Sequence, residues 1–367
     1  MKTKLCYLTE SGWWDTDYTM LPYLKDYFDI EVYLVAERNK DKFNLEEVNY
    51  LRSLGIKVCI WRRKGRIRNI SNLLLFIRLF FTIRKSSNKD TRLYYVYMFD
   101  PYINFIFIIF GFFLKKIVAI HDYENHEGMD GFLRNKLKSI ILNSNSIFHF
   151  YSPLEYDKFK KEHPIKVGFY SEMPLKGYGQ PTSSTHLFKG DEKKIRLLFF
   201  GYIRSYKGLD ILLKALHGVD SSLYELTIAG EADNWDFYKE YLYENLSLNL
   251  HLGFVSNDQI KEYFSNADFL VLPYKDATQS GPLLVAINYN LPVIASNLEC
   301  FQHHILDGID GFIFEKNNSN DLRTTLLKVF DLNDTEYKEI KENQSKRRRR
   351  YLEKEQIIGE TFFKSVM

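Results

Sequence analysis

Thirteen apolar runs of strand length recur along this chain, each separated from the next by a helical pattern. No other feature restricts the fold as much. In the first half the runs are Lys4–Thr9, Glu31–Ala36, Lys57–Trp61, Leu93–Met98, Lys116–His121, Ser146–Tyr151 and Lys166–Tyr170. In the second half they are Ile195–Phe200, Tyr224–Ala229, Leu248–Leu252, Phe269–Leu272, Pro292–Ala295 and Gly311–Phe314. Most are hydrophobic almost throughout, as in strands covered on both faces, so they predict parallel sheets with helices on either side. Two such sets in 367 residues predict an α/β protein of two doubly wound domains, each of roughly 150–200 residues. Gly177–Thr185 is the one stretch dense in Gly, Pro, Ser and Thr, and it reads as the linker. The expected division is 1–185, 186–345 and a C-terminal helix over 346–367 that packs back toward the first domain.

Several classes are excluded early. Neither half carries G-x-G-x-x-G after its first strand, and no G-x-x-x-x-G-K-[ST] occurs, which argues against nicotinamide or flavin dehydrogenases and P-loop nucleotidases. Cys6, Cys59 and Cys300 are scattered and odd in number, as in reduced core thiols of a cytosolic protein. The N-terminus reads as a first strand, without the apolar run of a signal peptide. Tyr102–Leu114 is strongly apolar but falls short of the roughly 20 residues a bilayer span needs, so a buried helix is expected there.

Charge is unevenly placed. Residues 1–190 carry 29 Lys+Arg against 20 Asp+Glu, and residues 191–367 carry 21 against 27, net charges of +9 and −6 that sum to +3. Between Glu47 and Asp90 there are eleven basic residues and no acidic one, interleaved with Leu73–Ile83. Two readings fit the 52–89 segment: a membrane-surface element drawn to anionic headgroups, or a buried helix with a solvated basic rim.

Two motifs carry the chemistry. In the 268–296 stretch a buried strand leads through Thr278-Gln279-Ser280-Gly281 into a short helix, with Ser280 as N-cap, Pro282 in the first turn, and Asn290 and Pro292 closing it. Such an elbow leaves N–H groups and a positive dipole end facing a crevice, which suits phosphate. In the 198–216 stretch a strand ends at Phe200, Gly201 opens a turn, and Arg204 and Lys207 precede an amphipathic helix with Leu209, Leu212, Leu213 and Leu216 on one face. Taken singly, these cations would be solvated loop charges. Paired with the Ser280 elbow they can hold a diphosphate from both sides and stabilise it as its charge develops.

These residues resemble family 4 glycosyltransferases. The likeness runs through Gly201–Leu216, Leu226–Glu231, Gly253–Phe264 and 268–296 in order and spacing. It implies a GT-B fold, two Rossmann-like domains facing across a cleft, with the donor on the second domain and the acceptor on the first. It also implies retention of configuration and no obligatory metal. By position, Arg204 and Lys207 correspond to the pair that binds the donor diphosphate. Thr278, Gln279, Ser280, Gly281 and Leu283 correspond to the loop on sugar and phosphates, and Gly201, Glu231 and Phe254 fall at the turn and the base and ribose pocket. Many members carry two glutamates eight positions apart; here those positions are Ala277 and Val285, as in a variant with Gln-Ser-Gly in the loop, and Asp276 stands one position earlier. His121, at a strand end with Asp122, corresponds to a His that faces the donor sugar, and Gly12 to a loop near the donor phosphates.

Three weaker signals receive bland readings. Glu124, His126 and Glu127 lie near His121 without a recognised zinc spacing, so no metal is expected. Asp15-Thr-Asp17 imitates a metal-binding D-x-D and is expected to be a solvated loop. Lys346–Arg350 is expected to form a basic helical surface and not a nucleic-acid site. The reading is a retaining glycosyltransferase moving a sugar from a UDP- or GDP-linked donor to a glycan or lipid-linked polysaccharide precursor, without a cofactor. It would be cytoplasmic and peripheral at the inner membrane face. The rivals are a GT-B nucleotide-sugar epimerase and a catalytically silent nucleotide-sugar-binding scaffold.

Overall fold

A computed structural model of the chain describes residues 2–37, 43–64, 71–96, 103–104, 106–107, 111, 114–121, 123, 132–178 and 194–367. It divides into two compact units, Met1–Pro174 with Glu353–Met367, and Leu175–Leu352. All thirteen expected runs hold a strand. They are β1 (Thr3–Glu10), β2 (Phe28–Glu37), β3 (Lys57–Arg63), β4 (Arg92–Val96), β5 (Lys115–Ile120), β6 (Ile147–Phe150) and β7 (Gly168–Tyr170). The second set is β8 (Ile195–Phe200), β9 (Tyr224–Gly230), β10 (Leu248–Leu252), β11 (Phe269–Leu272), β12 (Val293–Ser296) and β13 (Gly311–Phe314). The linker expected at 177–185 lies outside the described residues except for Gly177 and Tyr178, and so do Asp122, Glu124, His126 and Glu127.

The first sheet runs β3-β2-β1-β4-β5-β6-β7 and the second β10-β9-β8-β11-β12-β13, with every pair parallel. Both are doubly wound, and strand order reverses beside β1 and beside β8. Ligands of such sheets bind at the carboxyl ends of the strands that flank this reversal.

In the first unit the helix Ser71–Ser86 buries Phe76, Leu79, Phe80 and Ile83 against Tyr95, Ile103 and Phe107. Ile103, Asn104, Ile106 and Phe107, the described helical residues of the 102–114 run, are all buried, as expected of a core helix. The C-terminal helix Ile358–Val366 inserts Phe362 against Phe28, Tyr94, His149 and Phe169 at 5.3–5.7 Å between ring centroids. In the second unit Leu209, Leu212, Leu213 and Leu216 are fully buried, the face that the sequence pattern marks.

Two expectations change. Asp17 is not solvated: it lies in the helix Trp14–Leu24 with no exposure and accepts hydrogen bonds from Tyr7 Oη (2.6 Å) and Thr9 Oγ1. Only three residues separate β1 from that helix, so its first turn faces the hydroxyls at the end of β1. The Lys346–Arg350 run is also partly structural. Arg347 Nε donates to the buried Asp310 at 2.6 Å and Arg348 Nε to Asn288 Oδ1 at 3.2 Å, while Lys346, Arg349 and Arg350 stay exposed.

Two glycines set the carboxyl edge of the second sheet. Gly208 has φ +68°, and a Cβ there would stand 1.9 Å from the Pro273 carbonyl oxygen. Gly230, with φ +150°, packs against Gly201, whose carbonyl oxygen would lie 2.0 Å from a Cβ. Neither contact can yield, because both obstacles are backbone. Gly208→Ala is therefore expected to lower stability by about 3 kcal/mol, combining αL strain with steric overlap. A urea midpoint unchanged from the parent protein would show that this approach is not required.

Candidate active site

The reversal point of the second sheet lies between β8 and β11, and both sequence motifs start there. The β8 loop runs from Gly201 through a short 3-10 turn, Ser205–Lys207, and the β11 loop runs through Tyr274 to the helix Gly281–Asn288. Lys275 N–H donates to Tyr206 O at 2.7 Å, and Lys275 Nζ pairs with the buried Asp210 at 2.9 Å. These bonds, with the Gly208–Pro273 approach, lock one loop onto the other.

The helix begins as its sequence predicts. Ser280 is extended (φ −143°, ψ 109°) and its Oγ accepts from Leu283 N–H at 3.3 Å. Pro282 occupies the first turn, where no N–H is needed. At the far end Asn290 takes φ +52°, while Asn290 N–H reaches Ile287 O and Leu291 N–H reaches Ala286 O, a Schellman closure.

Lys207 is the unusual group. It is 7% exposed, and among the described residues it has no carboxylate partner. Its Nζ lies 5.5 Å from the Tyr274 ring centroid, a cation–π contact, and 3.1 Å from where a Cβ on Gly201 would stand. Pro282 Cγ lies 3.6 Å from that same point. The ammonium and the first turn of the helix therefore meet above Gly201. Burial and then the Arg204 charge pull the Lys207 pKa down to about 8. An un-neutralised buried ammonium beside a positive helix end is costly unless an anion joins it.

Arg204 is more open. Its guanidinium lies over the Tyr202 ring at 4.8 Å, and its Nε is 3.4 Å from Asp233 Oδ2, which also accepts from Tyr202 through Oδ1 at 2.7 Å. Thr278 and Gln279 are half-buried on the elbow, and Asp276 is exposed there. Leu283 presents no side chain to the crevice: it is 2% exposed and its amide is taken by Ser280. Val285 is likewise packed in the core. Glu231 follows β9 and is exposed, with its carbonyl accepting from Ile203 at 2.7 Å; Phe254 follows β10 and is 66% exposed. Tyr274 and Asp233 escape the sequence reading, although Tyr274 sits in the Leu-Pro-Tyr-Lys strand end and its position was legible. A cavity of about 200 Å³ lined by Arg196, Thr227, His251 and Tyr263 opens within the span of β8–β10, away from this edge.

The first unit shows a second cluster. His121 directly follows β5, is 5% exposed, and is stacked between Trp13 (3.8 Å, 25°) and Tyr151 (4.7 Å, 28°). Those rings come from the turns after β1 and β6. Behind them His149 is held by Tyr94 Oη at 3.1 Å and Ser171 Oγ at 2.7 Å, and burial drives its pKa well below the usual value. Gly12 is exposed, and a Cβ there would meet nothing within 4 Å, so that turn does not require glycine for space.

Comparison with known proteins finds likenesses that centre on the second unit. Residues 186–347 match the family model described as glycosyl transferases group 1. The chain is 30% identical over 129 residues to a 41.2 kDa protein of the cps region of Klebsiella pneumoniae, covering 35% of each chain. It is 31% identical over 103 residues to a GDP-mannose:glycolipid 4-beta-D-mannosyltransferase of Xanthomonas campestris, covering 27% of this chain and 30% of the other. It thus spans about a third of the length of these curated relatives. Among solved structures, Anabaena HepE in complex with UDP and glucose superposes with a TM-score of 0.71 at 14% identity, covering 98% of this chain and 99% of that one. A glycosyltransferase from Rickettsia africae superposes equally well, with a TM-score of 0.71 at 14% identity, so these proteins share the fold of two parallel-sheet α/β units. The stretch that matches the glycosyl transferases group 1 model thus contains the Lys207 site.

Lys207 predicts a pH dependence with a definite sign. Its lowered pKa means that the charged form, the one an anion needs, is complete only well below about 8. Binding of a nucleoside diphosphate should be strongest there and weaken by up to about tenfold for each pH unit above it. Lys207→Arg, charged throughout, should flatten that fall. Calorimetric titration with UDP and GDP across the pH range reads this directly, and a flat wild-type profile would remove Lys207 from the anion's contacts.

Proposed function

We propose that this chain is a retaining glycosyltransferase that moves a sugar from a UDP- or GDP-linked donor to a glycan or lipid-linked acceptor. The observation that carries the reading is the buried Lys207 ammonium meeting the first turn of the helix Gly281–Asn288 above Gly201. Bond breaking at the sugar leaves a nucleoside diphosphate, and preorganised charge at Lys207, Arg204 and the helix end stabilises that leaving group most as its negative charge grows. This supply of charge makes a metal ion unnecessary in the proposed mechanism. Retention follows if the leaving phosphate oxygen takes the proton of the attacking acceptor hydroxyl on the same face of an oxocarbenium-like sugar. Thr278 and Gln279 would contact the sugar, while Phe254, exposed beyond β10, offers a ring for the base. His121 would hydrogen-bond a sugar hydroxyl, its ring held by Trp13 and Tyr151.

The relatives support both the donor class and the acceptor class: one is named for GDP-mannose and a glycolipid, and a structural neighbour was solved with UDP and glucose. A panel of UDP- and GDP-sugars with lipid-linked and free glycan acceptors, run with a chelator present, tests the proposal. Wild-type protein should transfer one sugar with retained configuration. Arg204→Ala with Lys207→Ala should lose on the order of 10³-fold in kcat/KM. Conversion of the donor without any acceptor would instead make the chain an epimerase.

We also propose a lipid-facing stripe on the helix Ser71–Ser86. Leu74 and Phe81 are 67% and 60% exposed, and Arg78 and Lys85, also exposed, share their side of the helix at i, i+4, i+7 and i+11. Apolar anchors alternating with cations suit an anionic bilayer surface, the location of a lipid-linked acceptor. Vesicles containing phosphatidylglycerol should sediment the protein at low salt, and Leu74→Glu with Phe81→Glu should abolish this. Equal sedimentation of both proteins would sink the idea.

A further inference from the structure

We infer that Lys176 is a third phosphate-binding cation of the donor site, an inference that rests on the donor reading above. Lys176 is far from both motifs in sequence and follows the last strand of the first sheet, yet it packs within the second unit. It is 8% exposed. Its carbonyl accepts from Asn288 Nδ2 at 3.1 Å, which fixes its backbone to the last residue of the helix Gly281–Asn288. Its Nζ stands 3.5 Å from where a Cβ on Gly281 would be, and its Cε 3.9 Å from the same point. The residue therefore has its backbone tied to the last residue of the helix and its ammonium at the first.

That course is built. Asn288, which holds the Lys176 carbonyl, is itself gripped by Arg348 Nε at 3.2 Å. Gly177 leaves room for it, since a Cβ at 177 would stand 2.8 Å from Asn288 Nδ2. A lysine placed for packing alone could send its ammonium to solvent along many routes. This one ends beside the positive end of a helix dipole, where a cation is disfavoured.

The neighbours sharpen the point. Lys207, buried and without a carboxylate partner among the described residues, meets the same first turn at Pro282 from the Gly201 side. Arg204 flanks Lys207 closely enough to affect its charge. Two buried lysines and one helix N-terminus thus meet at the Gly281–Pro282 turn, with Arg204 beside Lys207. Like charges so arranged become favourable when a multiply charged anion lies among them, and the diphosphate of a nucleotide sugar has the required charge. Lys176 would then bind the phosphate from the helix side while Lys207 binds from the β8 side.

The test is calorimetric titration of the full chain with UDP, GDP, inorganic pyrophosphate, uridine and guanosine. Lys176→Met should weaken the nucleoside diphosphate that wild type prefers, and pyrophosphate, by about tenfold or more, with nucleoside affinity unchanged. Its binding should also lose part of its dependence on salt. Lys176→Arg should return to within a few-fold of wild type. The inference is overturned if Lys176→Met binds pyrophosphate as wild type does, or if both variants lose nucleoside and diphosphate affinity together with a lowered melting temperature, the mark of a packing role. Loss of binding in Lys207→Ala alone leaves the donor reading intact while removing Lys176. Failure of wild type to bind any diphosphate removes both.

Discussion

The approach of Gly208 to the Pro273 carbonyl is the contact on which the second unit's chemistry depends. It joins the turn after β8 to the strand end of β11 at a distance that no side chain could occupy. With the turn held there, Lys207 is drawn inward over Tyr274 instead of outward into water. The Lys275–Tyr206 and Lys275–Asp210 bonds repeat the same connection with polar groups. Backbone packing therefore decides where a charge is buried, and the buried charge decides what the crevice can bind.

The carboxyl edges of the two sheets differ in chemistry. In the second, the buried Lys207 ammonium, with no carboxylate partner among the described residues, meets the first turn of a helix, a setting that suits an anion. In the first, the described strand ends present aromatic rings around a histidine, over a neutral hydrogen-bonded layer of Tyr94, Tyr151, His149 and Ser171. Stacking on Trp13 and Tyr151 limits the tilt of His121 without fixing its charge.

Much of this was legible in advance, for local reasons. Strands buried on both faces must be apolar throughout, so thirteen of them stand out. Ser280, Pro282 and Asn290 each satisfy a backbone requirement of one helix, and each does so in the structure. The failures are equally instructive. Asp17 looks like a solvated loop acid because its D-x-D comes too early to hold a metal, but its partners, Tyr7 and Thr9, reach it from the preceding strand. Arg347 looks like part of a charge run, whereas its partner Asp310 lies 37 residues away. Lys176 carries no local signal at all.

Local sequence was enough to specify the two doubly wound sheets, the helix that starts at Ser280, and the cations that follow β8. These follow from periodicity and from the few residues able to cap or turn a backbone, which act over less than ten residues. Which cations meet is a matter of long-range packing. Strand order sets β8 beside β11 although some seventy residues separate them along the chain, and hydrogen bonding of Asn288 brings in Lys176 from still farther away. Charge clustering is a property of distances through space, and those are set by sheet order and close backbone packing, which no local pattern records.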